Sequence, residues 1–75
     1  VDFYIPENKH AIQACVTLND DETRKRETDA LIKLDRIEDL NIMTIVTLEE
    51  EDVITLPSGK AIEVVPVWKW LLSYR

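Results

Sequence analysis

The chain has 75 residues, 9 of them Lys or Arg and 15 Asp or Glu, which leaves a net charge of −6 with the single His neutral. A chain of this size buries only about 60% of its unfolded surface, so it makes one domain at most and needs its large apolar residues for the core. An apolar share of 45% beside 32% charged residues excludes a disordered tail, and the acidic balance disfavours autonomous electrostatic binding of nucleic acid. One Cys with one His excludes an internal disulfide and any zinc site built from those two residue types. No apolar run approaches the roughly 18 residues of a membrane span and no leader pattern is visible, so a cytoplasmic protein without membrane contact is expected.

Residues 1–5 are β-prone and stop at the turn-forming Pro6-Glu7-Asn8-Lys9. Residues 11–18 resume strand character, so the two segments predict a hairpin. Because the first residue already falls in a strand, a piece of something longer is expected. Alternation places Asp2 and Tyr4 on one face of the first strand. On the second it places Gln13 and Cys15 on one face and Ile12, Ala14, Val16 and Leu18 on the other. His10, at a strand entrance with no second His at ligand spacing, is expected at the surface.

Asn19 or Asp20 can cap a helix whose acidic first turn suits the positive end of the dipole, and the helix is expected to run to about residue 37. Ala30, Leu31, Leu34 and Ile37 form its apolar stripe, and three- and four-residue spacing backwards puts Glu27 and Thr23 on it too. Arg24, Lys25, Lys33 and Arg36 occupy the opposite, solvated face. Residues 41–48 are too densely apolar for an exposed edge and predict a strand inside the sheet. The acidic run at residues 49–52 ends it. Segments 52–56 and 61–65 flank Pro57-Ser58-Gly59-Lys60, a second hairpin turning on the chain's only glycine. Pro66 suits the first turn of a last helix over residues 67–73, where its missing amide donor costs nothing. The order is ββαβββα, an α/β (α+β) fold with a mixed sheet of four or five strands, one long helix and a short C-terminal helix.

Asp2, Gln13, Cys15 and Glu27 are the chemistry-bearing residues this order brings to one side of the sheet. Metal-dependent phosphodiester cleavage uses two acidic groups to hold one or two Mg²⁺ ions and a lysine to position water or stabilise phosphate charge. An Asp on one strand and an acid-x-Lys on its hairpin partner deliver those groups. Here Gln13 offers a neutral carbonyl and Cys15 a thiol, so Asp2 and Glu27 are left as weak ligands for a hard cation. Singly, each residue has an ordinary structural role: a solvated strand carboxylate, an amide bonded under a helix, a small buried thiol. Trp68 and Trp70 lie two apart on a helix and face different ways, so one is expected to be partly exposed at an interface. Arg24, Lys25 and Arg36 make a second candidate interaction surface. One glycine cannot form a phosphate-cradling loop, no Ser sits at a nucleophile elbow, and the acidic run lacks the alternation of a calcium loop.

Val-Asp-Phe at 1–3, Ile-Gln-Ala-Cys-Val at 12–16, Glu22-Thr23 and Arg26-Glu27, Ile-Val-Thr-Leu at 45–48 and the closing residues 62–72 together form a recognisable pattern. It resembles the carboxy-terminal domain of a group of prokaryotic AAA-type ATPases, a domain similar to the PD-(D/E)XK nucleases. The resemblance implies a partial restriction-endonuclease-like fold in which Asp2 matches the metal-binding Asp, Gln13 the second acidic position, Cys15 the lysine and Glu27 a helix residue facing the same site. With Gln for the acid and Cys for the lysine it implies a degenerate nuclease, the nucleotide chemistry lying in an upstream P-loop domain. The expected function of residues 1–75 is a non-catalytic accessory or interaction module with no cofactor of its own beyond a weakly held Mg²⁺. Its expected partners are the parent ATPase domain and a protein or nucleic acid. The alternatives are a residual Mg²⁺-dependent nuclease and a dimerisation module using a sheet edge that an absent first strand leaves open.

Overall fold

A computed structural model describes residues 1–73. The elements are β1 (Phe3–Ile5), a 3₁₀ turn (Pro6–Asn8), β2 (His10–Ala14), α1 (Asp21–Glu38), β3 (Ile42–Thr47), β4 (Asp52–Thr55), β5 (Ala61–Pro66) and α2 (Val67–Ser73). They build one five-stranded sheet in the order β1-β2-β3-β5-β4. The outer pairs β1/β2 and β4/β5 are the two antiparallel hairpins, while β3 is parallel to both β2 and β5. Parallel neighbours need a long crossover, and α1 supplies the one between β2 and β3. The mixed sheet, the long helix, the short last helix and the interior place of the third strand therefore agree with the sequence.

Pairing register sorts the strands into two faces. Tyr4, Ala11, Met43, Ile62 and Ile54 stand in one row across the sheet, with Gln13, Ile45 and Val64 in the next. Both rows look toward α1, and with Leu18, Leu31, Leu40 and Leu56 they form the core. Leu18 lies in this core, not opposite Gln13 as alternation required. Strand geometry lapses after Ala14, although Cys15 N still donates to Val46 O at 3.0 Å and Leu48 N to Val16 O at 3.1 Å. Pro66 also differs from expectation. It closes β5, paired with Thr47, and α2 begins one residue later.

Asp20 caps α1, its Oδ2 accepting from Thr23 N and Thr23 Oγ1, each at 3.0 Å. At the other end Asp39 adopts the left-handed region at φ 51°. Lys60 Nζ, from the second hairpin, donates to Asp35 Oδ1 at 2.6 Å, Asp39 Oδ1 at 2.8 Å and Leu40 O at 3.0 Å. A cation thus answers the negative end of the helix dipole. Ile37 is not on the buried stripe, being 79% exposed. The inward line is centred on Leu31, and six residues at 3.6 per turn carry Ile37 about 120° off it. The positions nearest that line hold polar groups that clasp the sheet, Glu27 on Gln13 and Asp35 on Lys60.

The second face carries Ile12, Thr44 and Val46, all buried. α2 lies along it and contributes no buried residue of its own. β1 and β4 are the outer strands. At three residues, β1 is a short edge, which limits how far another strand can pair with it. No helix among the described residues is long and apolar enough to cross a membrane.

Candidate functional site

β2 and β3 end side by side, and three loops leave from that end: residues 15–20 into α1, residues 48–51 into β4, and the junction of β5 with α2. In parallel sheets the carboxyl ends of the strands are where side chains from different elements converge on a ligand. The four residues singled out in the sequence sit around this end.

Gln13 is 3% exposed and gives both amide hydrogens to one residue of α1, Glu27 Oε1 at 3.0 Å and Glu27 O at 3.1 Å. Its Oε1 is buried and meets no donor among the described residues. Asp2 precedes Phe3, whose partner is Ile12, so register stands it across from Gln13. Its carboxylate turns along the strand edge and Oδ2 accepts the Ala14 amide at 2.7 Å, occupying a donor that β1 is too short to satisfy. Cys15 is half-buried, with Sγ 3.8 Å from the Thr17 carbonyl. Burial, then Glu27 and Glu50, push its thiol above the ordinary range, Asp2 adds to the rise, and Arg26 opposes it. A thiol so placed stays protonated and is a poor nucleophile. The structure therefore brings Gln13 and Glu27 into contact and sets Asp2 and Cys15 beside them, with both carboxylates already bonded to protein groups.

Glu50 is a site residue that the sequence reading treated only as part of an acidic run. Its Oε1 accepts Leu18 N at 2.7 Å, which ties two of the three loops together. The buried Thr47 hydroxyl holds the main chain of Glu50 from both sides, donating to its carbonyl at 2.9 Å and accepting its amide at 3.0 Å. Nothing in the run of four acids distinguishes Glu50 from its neighbours, so this role was not visible in the sequence.

The proposed interaction residues divide. Arg24 pairs with Asp52 at 3.1 Å and Lys25 with Asp29 at 2.8 Å. Lys33 and Arg36 lie near enough to Asp29 to help Lys25 hold its carboxyl below the ordinary range, so this helix face is a mixed-charge surface. Trp68 is 59% exposed, whereas Trp70 is half-buried and packs edge-on against His10, ring centres 5.9 Å apart. His10 is accordingly not a surface residue: it sits under α2 with Nε2 2.8 Å from Thr44 Oγ1. The same parity that places Ile12 and Ala14 on this face places His10 there too, and that signal was readable.

No family model, curated protein or solved structure matches the chain.

Proposed function

We propose that the chain is a non-catalytic, nuclease-like interaction module serving a larger AAA-type ATPase in the cytoplasm, with the parent ATPase as its first partner. The observation that carries this reading is the Gln13–Glu27 contact. At the position where a nuclease of the resembling type holds a second acid, a neutral amide spends both hydrogens on the helix carboxylate and carbonyl. Cys15, held in its thiol form, stands at the lysine position. A hairpin followed by a crossover helix and a parallel strand also supports the resemblance. The site so built fastens α1 to β2 and carries a thiol where nucleases of the resembling type use a lysine.

One feature favours a residual Mg²⁺-dependent nuclease as the second reading: Gln13 Oε1 is a buried carbonyl oxygen without a donor, a group that a hard cation satisfies. A Mg²⁺ titration followed by amide NMR shifts separates the two. The accessory reading expects no saturable change at Asp2, Gln13 or Glu27 at millimolar Mg²⁺, and a saturable change centred there would overturn it. Coding sequence upstream of Val1 that contained no P-loop ATPase would overturn the assignment to such a parent.

A further inference from the structure

At the carboxyl end of β2 and β3 lies an open apolar groove of about 360 Å³. Ala14, Val16, Val46, Leu48 and Val67 line it over Cys15 and Thr47. Val16 is 73% and Leu48 58% exposed, so two aliphatic side chains stand in water side by side, joined through the Leu48 N to Val16 O bond. Isolated exposed apolar residues need no explanation. Here two of them wall a single groove, which makes it a candidate contact surface.

The loops around the groove are predominantly acidic. The loops leaving this end carry Glu49 and Glu50 on one side and Asp20, Asp21 and Glu22 on the other, with Asp2 at the strand edge. The nearby cations each face a carboxylate, Arg24 on Asp52, Lys69 on Glu51, and Arg26, whose charge reaches Cys15, on Glu27 at 3.7 Å. Lys9 and Lys60 belong to loops at the opposite end of the sheet. The thiol of Cys15, which lines the groove, is raised first by burial and then by Glu27, Glu50 and Asp2, with Arg26 opposing.

This charge selects the occupant. Nucleic acid brings phosphates against carboxylates and gains no counterion release. A second copy, meeting this one through the same patch, would set acidic rim against acidic rim. From the apolar groove within its acidic rim, we infer that the site docks a Lys/Arg-rich peptide segment of a partner protein, two or three aliphatic side chains filling the groove and the basic residues meeting the rim. The inference rests on the interaction-module reading and gives its partner a chemistry.

The probe is a fluorescein-labelled amphipathic peptide of about 15 residues with Leu at helical spacing and Lys elsewhere, beside the same peptide with Glu for Lys. Anisotropy and amide shifts are read on the chain. The Lys peptide should bind saturably, weaken as salt rises from about 50 to about 300 mM, and shift Ala14, Val16, Leu48 and Val67. Val16→Ser with Leu48→Ser, both at exposed positions, should weaken it about tenfold with thermal stability unchanged. Equal binding of the Glu peptide, or affinity indifferent to the two serines, would overturn the inference, as would a dimer in sedimentation that those serines dissolve. Loss of peptide binding with Mg²⁺ still silent rejects the groove alone. Peptide binding beside a saturable Mg²⁺ response rejects only the non-catalytic reading.

Discussion

Gln13 holds α1 to β2 with two donors and no charge, and the energetic stake in that choice is large because the residue is almost wholly buried. Gln13→Glu keeps the shape but removes both donors and aims a carboxylate at the Glu27 carboxylate and carbonyl. A buried charge facing like charge costs about 3 to 5 kcal/mol, unless it takes up a proton. The introduced carboxyl would therefore have a folded pKa above its unfolded value near 4.3. The native state then binds more protons than the unfolded state across that interval, and stability falls as pH rises through it. Urea unfolding should find the variant close to the parent near pH 4 and several kcal/mol weaker at pH 7; equal stability at both would show that the contact is not what fastens the helix. Side-chain parity and the stripe through Glu27 already pointed these two residues at each other. The orphaned Oε1, and Asp2 turning to the Ala14 amide, depend on where β1 and β2 stop, which a residue pattern sets only loosely.

At the scale of elements, the second hairpin is the part of the fold whose local chemistry is simplest. Gly59 has φ 92°, and its amide donates to Leu56 O at 2.9 Å while Leu56 N donates to Lys60 O at 2.8 Å. A Cβ at Gly59 would meet nothing within 4 Å, so crowding plays no part and the cost of Gly59→Ala is conformational. Chemical denaturation should show a loss of about 1 kcal/mol, and a smaller one for Gly59→Asn, which tolerates positive φ better. An unchanged alanine variant would mean that the turn relaxes to another type. Hairpins, the crossover helix and the buried middle strand were legible because turn residues and alternation are local. The place of Ile37 was not. The stripe was read back through Glu27 but forward to Ile37, whereas the inward line ends on Asp35, whose partner Lys60 lies 25 residues away in sequence. Only tertiary pairing shows that Asp35 faces inward, and only then does Ile37 fall outside.

Across the whole molecule the two faces of the sheet are held by different means. α1 seals one with a continuous apolar core, while α2 rests on the other with no buried residue, Trp70 edge-on to His10. His10 is also the imidazole beneath that helix. Burial lowers its pKa from 6.5, and Glu63 on β5 offsets part of that. Because the folded value is the lower one, the unfolded chain binds more protons between the two. Stability contributed by neutral His10 is therefore complete above pH 6.5 and lost as pH falls through the folded value. The imidazolium also bears a charge that must be desolvated beneath Trp70, so acid acts first on the docking of α2. We expect urea unfolding to show the parent losing stability below about pH 6.5, relative to His10→Phe, which keeps an aromatic ring for Trp70 and cannot titrate. Indole fluorescence should move in the same interval as Trp70 leaves its packed position. Parallel pH profiles for the two proteins would show that His10 does not couple α2 to the sheet.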